Sequence, residues 1–249
     1  MAVVSVEAII LQVVAYGDTS KILKLLTRAH GVQSVIAKGA LRPRSRFGGL
    51  LEPFAEGTAT LHVRESRELQ TLSGFELTRG RQALGRDLVR FGGASLLAEI
   101  VLRAASTATD DRLFASLRHG LDRIMGCDPE ELESVVLAEA WRLVSRLGFA
   151  PVLNECVICD RPLPGDLDTL FDYPAGGVRC DRCATAGEGR PVPAAARRDL
   201  LRLLRGETPV LGRTGAHWQL LARYLDHHVL QATQLRSLAF LAEALEISD

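Results

Sequence analysis

The chain has 249 residues, 47% of them hydrophobic, 24% charged and 5% aromatic, with 30 Lys and Arg against 30 Asp and Glu. That apolar content supports at least one substantial core and excludes wholesale disorder. No uncharged apolar run reaches the roughly 18 residues a membrane helix needs, so no membrane partner is expected. Met1-Ala2-Val3-Val4-Ser5 lacks the basic start and apolar block of a secretory signal, and the predicted compartment is the cytoplasm.

Residues 1–79 read as β. Val4–Ala15, Lys21–Thr27, Val32–Lys38, Gly57–Arg64 and Leu69–Ser73 are rich in β-formers, and turn signals such as Tyr16-Gly17-Asp18 and His30-Gly31 separate them. Five short strands without helices of convincing period between them predict a small closed sheet. A five-stranded Greek-key barrel of the OB type is the economical solution, because closure removes exposed strand edges.

Charge is unevenly spread in this region. Between Asp18 and Glu52 there is no acidic residue, while Lys21, Lys24, Arg28, Lys38, Arg42, Arg44 and Arg46 give a local charge of +7. Such a surface suits a polyanion, nucleic acid first among them. The competing reading is a solvated face balanced in space by Glu52, Glu56, Glu65 and Glu68. The stretch Lys38–Gly49 is expected to form a basic, flexible loop on the barrel rim. Phe47 lies inside it and is a candidate for stacking on bases, whereas Phe54, beside Pro53, reads as core; Tyr16 is the other nearby aromatic.

From residue 80 to 249 the period turns helical. Leu84, Leu88 and Phe91, then Leu96, Leu97, Ile100 and Val101, recur at three-to-four spacing, and Leu113, Leu117, Leu121 and Ile124 make a second such face. Asp128, Pro129 and Glu131 predict a capped start for a third helix, which Gly148 ends. Helical period returns at Ala194–Arg205, Trp218–Leu230 and Leu235–Leu245. The first of these carries a basic stripe, Arg197, Arg198, Arg202 and Arg205, a solvated face that could lengthen a nucleic-acid path.

Residues 152–190 lose the helical period and hold Cys156-Val157-Ile158-Cys159 and Cys180-Asp181-Arg182-Cys183. Two residues between cysteines let both sulfurs of one turn face a common centre, and a second such turn completes a tetrahedral S4 site. One structural Zn2+ is the expected cofactor, held by Cys156, Cys159, Cys180 and Cys183. An Fe–S cluster, a redox dithiol or two disulfides are the rivals, the last a poor fit to a reducing cytosol. Asp172–Gly177 reads as the turn that brings the chain back to close the site. The fifth cysteine, Cys127, reads as a small buried apolar residue. His227-His228 lie in a helical pattern and point about 100° apart, so packing explains them better than metal binding. No phosphate-cradling loop, dinucleotide fingerprint, zinc-protease helix or nucleophile elbow is present, and no enzyme is expected.

Ala8-Ile9-Ile10-Leu11, Tyr16-Gly17-Asp18-Thr19, Leu26-Thr27-Arg28, Ala37-Lys38-Gly39-Ala40, Arg44-Ser45-Arg46 and Leu51-Glu52-Pro53-Phe54, followed by Leu147-Gly148-Phe149-Ala150-Pro151 and the cysteine quartet, resemble the RecO family of bacterial DNA repair proteins. Tyr224-Leu225-Asp226-His227-His228 and Leu235–Leu241 resemble that family's closing helix. The sequence departs from the pattern at Leu41, and at Leu238-Ala239, where basic residues are common. The resemblance implies an OB-fold nucleic-acid-binding domain, a helical domain and an inserted zinc module. It implies a recombination mediator that binds single- and double-stranded DNA without sequence preference, anneals strands and, with RecR, helps load RecA onto DNA covered by single-strand-binding protein. The implied partners are DNA, RecR and that protein's C-terminal tail, in a bacterial, nucleoid-associated setting. The seven cations and Phe47 would be the DNA contacts. The alternative is a zinc-containing protein-interaction module without direct DNA binding.

Overall fold

A computed structural model describes residues 2–64, 66–104, 111–184, 189–229 and 235–245. It divides into two compact units, 1–125 and 126–249.

The first unit opens with five strands: β1 Ala2–Tyr16, β2 Ser20–Thr27, β3 Gly31–Ala37, β4 Glu56–Val63 and β5 Leu69–Arg79. Their order, β1-β2-β3-β5-β4, returns to β1 and closes the barrel. All pairings are antiparallel except β3 with β5. This is the expected OB architecture, with each strand near its predicted place. β5 runs six residues past the expected Ser73. Its far half keeps pairing with β4, up to Glu56 opposite Arg79, although its outer face is polar. The inward set fills the barrel: Val6, Ala8, Ile10, Leu23, Leu25, Val35, Ala59, Leu61, Leu72 and Phe75 are buried together. At Gly57 a side chain would collide with the Glu76 carbonyl, its Cβ falling 2.2 Å from that oxygen, so glycine is what lets β4 and β5 approach there.

Helices α1 Leu88–Ala104 and α2 Asp111–Gly126 complete the unit. The compact unit that holds the barrel runs on to Met125 and takes in both helices, while the 79/80 change of period marks where strands give way to helices. Arg81 links the two parts. Its side chain is fully buried and donates to Glu56 Oε2 at 2.8 Å, to Asp122 Oδ1 at 2.9 Å and to the Phe54 carbonyl at 2.8 Å, tying β4 to α2.

The second unit holds α3 Leu132–Arg146, a three-stranded sheet (β6 Thr169–Asp172, β7 Gly177–Arg179, β8 Arg190–Val192), then α4 Ala194–Leu204, α5 Thr214–His228 and α6 Arg236–Ala244. Helices α3 and α4 flank the sheet in sequence and pack on each other, so the cysteine segment is an insertion between packed helices. The predicted capping box is not formed: Asp128 makes no side-chain cap, and Pro129–Glu131 is a short 3-10 turn leading into α3. Proline supplies the φ for that turn, and its missing N–H removes one donor that a cap would have served. No described helix is long and apolar enough to cross a membrane.

Candidate nucleic-acid interface and metal centre

The segment between β3 and β4 turns back on itself repeatedly. Arg42 N–H donates to Gly39 O at 3.2 Å, Ser45 to Arg42 O at 3.0 Å, Gly48 to Ser45 O at 3.1 Å and Leu50 to Phe47 O at 2.7 Å. Leu41 N–H donates to Thr19 O at 2.9 Å, pinning the segment to the β1–β2 hairpin. It is a chain of hydrogen-bonded turns rather than the flexible loop expected. Phe47 is 2% exposed and packs in the barrel core with Leu51. This corrects the stacking role expected for Phe47: no base can reach its ring. Phe47 and Leu51 act as a plug for the barrel, and the cations share the segment by facing the other way. Lys38, Arg42, Arg44 and Arg46 are exposed, and Arg46 lies over the edge of the plug with its guanidinium carbon 5.2 Å from the Phe47 ring centre.

The other predicted cations are differently placed. Lys24 faces outward from β2 and donates to Ser34 Oγ at 2.6 Å. Lys21, at the start of β2, donates to the Leu51 carbonyl at 3.1 Å and pairs with Glu52 at 3.5 Å, holding the plug's end. Arg28 lies past the opposite end of β2. It pairs with Glu7 and with Asp111 (2.8 Å), and its guanidinium carbon sits 5.1 Å from the Phe114 ring centre. Two of the seven cations are thus held by internal carboxylates. Among the described residues, no carboxylate lies within ion-pair distance of Lys38, Arg42, Arg44 or Arg46. Glu56, a candidate for balancing them, is turned inward to Arg81. Phe54 is buried, as read from its apolar setting. Tyr16 is 55% exposed at the β1–β2 hairpin, close to the Thr19–Leu41 contact, and is the aromatic that solvent can reach beside the cationic segment.

In the second unit the basic stripe on α4 is partly tied down. Arg197 is 1% exposed and donates to the Pro164 carbonyl, Arg198 donates to Gly165 O at 2.9 Å, and Arg202 pairs with Glu207 at 2.9 Å. Arg197 thus serves packing, fastening α4 to the preceding segment, whereas Arg198, Arg202 and Arg205 keep an exposed face. Cys127 is half-buried.

Strand β7 runs directly into Cys180, and Val157 N–H donates to Val178 O at 2.9 Å, which sets the first cysteine turn beside the second. Gly177 permits this approach: a Cβ there would lie 2.4 Å from the Val152 carbonyl and 2.5 Å from Val157. The Asp172–Gly177 turn forms as expected, with Gly176 N–H on Asp172 O at 3.0 Å. All four ligand sulfurs lie within 4.8 Å of one another, and Cys159 Sγ is 3.8 Å from Cys180 Sγ. Four thiolates around one ion at the usual zinc–sulfur length of about 2.3 Å would stand about 3.8 Å apart. A disulfide needs about 2.05 Å, so the cysteines are thiols. Burial pushes the Cys156 thiol up, but backbone N–H groups of Cys180, Ile158 and Cys159 outweigh it and bring it down to about 6. Cys183 is pushed up to about 12 by the Cys159 and Cys180 sulfurs, by burial and by Cys156. So compact a group of sulfurs resists full ionisation unless a cation shares it, and the quartet fits a single metal ion. His227 and His228 dock α5 on the hairpin instead. His227 stacks on the Tyr173 ring, 16° from parallel, and His228 Nε2 lies 2.6 Å from the Tyr173 carbonyl oxygen.

A cation-rimmed OB barrel followed by a helical unit with a four-cysteine insertion defines a multidomain α+β protein. Family models described as "Recombination protein O N terminal" and "Recombination protein O C terminal" match residues 1–81 and 85–239. A DNA repair protein RecO from Anaeromyxobacter sp. (strain K) is 32% identical over 238 residues, covering 91% of each chain. One from Thermobifida fusca is 33% identical over 203 residues, covering 81% of each. One from Thermoanaerobacter sp. (strain X514) is 28% identical over 213 residues, covering 83% of this chain and 82% of its own. The chain belongs to the RecO family of DNA repair proteins.

Proposed function

We propose that this protein is a recombination mediator that binds DNA through the outer face of the β3–β4 segment. The observation that carries this is the set of exposed cations, Lys38, Arg42, Arg44 and Arg46, that have no carboxylate partner among the described residues, beside the β1–β2 hairpin of an OB barrel. Lys24 supports them from the outer face of β2. These side chains neutralise phosphates and read no base edge, so binding is indifferent to sequence, as repair requires. Two strands held on one cationic surface repel each other less and meet at higher local concentration. Annealing follows without bond chemistry, and the protein acts as a mediator rather than an enzyme. Family membership supports RecR, the tail of single-strand-binding protein and RecA loading as the wider setting, in the bacterial cytoplasm at the nucleoid. Cys156, Cys159, Cys180 and Cys183 would hold one zinc ion, whose chemistry is structural: it cross-links two turns and leaves no coordination position for substrate.

The test is a titration of labelled single strands at several salt concentrations. With about four phosphate contacts the logarithmic salt slope is roughly −3. Replacing Arg42, Arg44 and Arg46 together with alanine is expected to reduce its magnitude to about 1. An unchanged slope removes the segment from the interface. A wild-type protein that ignores DNA even at low salt leaves the alternative, a zinc-containing protein-interaction module.

A further inference from the structure

A second cationic feature lies on the same barrel. Strand β5 begins between β3 and β4: Ile36 of β3 pairs with Thr71 on one side and His62 of β4 pairs with Thr71 on the other. The parallel β3–β5 pairing that closes the barrel therefore brings Lys38, just past β3, to the β4–β5 loop. There Lys38, His62, Arg64, Arg67, Gln70 and Thr71 line a notch, with no carboxylate among the described lining residues.

The notch is built from beneath. Gln70 is 6% exposed, and its amide satisfies the loop backbone: Arg64 N–H donates to Gln70 Oε1 at 2.8 Å, while Gln70 Nε2 donates to the Arg64 carbonyl at 3.1 Å and to the Arg67 carbonyl. One buried amide thus holds both ends of the turn that carries the two arginines. A short turn held this way presents its cations at lower entropic cost than a loose one.

We infer that this notch is a phosphodiester-binding site, and that a strand leaving the cations of the β3–β4 segment passes Lys38 and seats a backbone phosphate against Arg64 and Arg67. Three cations converge on one opening, two are guanidiniums whose planar forks match phosphate oxygens, and Thr71 and His62 add hydrogen-bonding groups. A nucleic-acid strand is favoured over other anions because Lys38 belongs to both features, which makes the cationic surface continuous. The inference rests on the DNA-binding reading and extends its surface to residues outside the acid-free interval.

The experiment uses the full chain and fluorescein-labelled (dT)20, comparing wild type, Arg64→Ala/Arg67→Ala, Arg64→Lys/Arg67→Lys and the triple variant of the β3–β4 segment. The double alanine variant is expected to reduce the salt slope by about 1 and to weaken binding about five- to tenfold at moderate salt, additively with the triple variant. The lysine variant keeps the charge; it is expected to keep the slope while losing part of the affinity, which separates charge from fork geometry and covers a misfolded alanine variant. If wild type binds and the triple variant weakens it while both Arg64/Arg67 variants match wild type, the notch is not a strand site, although the DNA-binding reading stands. If the notch variants lose binding of inorganic phosphate or oligoglutamate but not of (dT)20, it takes a different anion and the inference is overturned. Wild type that binds no (dT)20 overturns both.

Discussion

Two aromatic residues flank the cationic segment, and their surroundings give them opposite roles. Phe47 is enclosed by barrel side chains, so Phe47→Ala is expected to destabilise the fold by about 3–5 kcal/mol, read by urea unfolding. DNA affinity measured on the folded fraction should not change. Tyr16 presents its ring to solvent at the hairpin, where an unstacked base can lie on it. Tyr16→Ala is expected to cost about 1–3 kcal/mol in single-strand affinity with the salt slope intact, because stacking neutralises no phosphate. Duplex binding should fall less, since paired bases are not free to stack. Equal losses on both substrates would show that Tyr16 does something other than stack. The role of Phe47 was partly readable beforehand: Phe47, Leu50, Leu51 and Phe54 recur at the three-to-four spacing of a buried face. The density of arginine around them hides that face, because exposed cations and buried apolar residues alternate along the same turns.

At the level of elements, the strands were the most readable part, because closure of a five-stranded sheet follows from strand number and turn spacing. What joins the barrel to α2 was not readable. Arg81 sits in a stretch after β5 with Arg86, Arg90 and a single acid, Asp87, and no local pattern says that its side chain is buried or that Glu56 and Asp122 converge on it. Its removal tests the arrangement. Arg81→Met leaves the Glu56 carboxylate, 7% exposed, with Arg118 at 3.7 Å as the remaining cation. The expected loss is about 3–5 kcal/mol, the usual cost of stranding one partner of a buried pair. Adding Glu56→Gln in the Arg81→Met background should recover part of that loss, since the stranded charge is then gone. Urea unfolding of the single and double variants measures it. Additive losses would mean that Glu56 and Arg81 are not coupled. Arg197 makes the same point: its place in a helical basic stripe reads as solvated, yet its partner, the Pro164 carbonyl, comes from a distant, irregular segment that periodicity cannot position.

Across the molecule, two divisions of the chain differ. The family models meet between residues 81 and 85, where strands give way to helices, while the compact units meet at Met125 and Gly126. The cysteine spacing was the clearest chemical signal in the sequence because two short turns suffice to assemble four ligands, whereas the interface requires side chains from turns and strands far apart in the chain. The two features fall in different compact units, which gives metal removal a definite signature. Stripping the ion with a chelator, or replacing Cys156 and Cys180 with serine, takes away the cross-link between the two cysteine turns. Purified protein should carry about one zinc per chain. Its loss should speed amide exchange across 152–190 and lower the melting temperature of the second unit. The (dT)20 affinity and salt slope should persist, because every cation assigned to the strand lies in residues 1–125. A metal-free protein with unchanged exchange in 152–190 would end the structural role for zinc, and a salt slope that fell with the metal would move part of the DNA grip into the second unit.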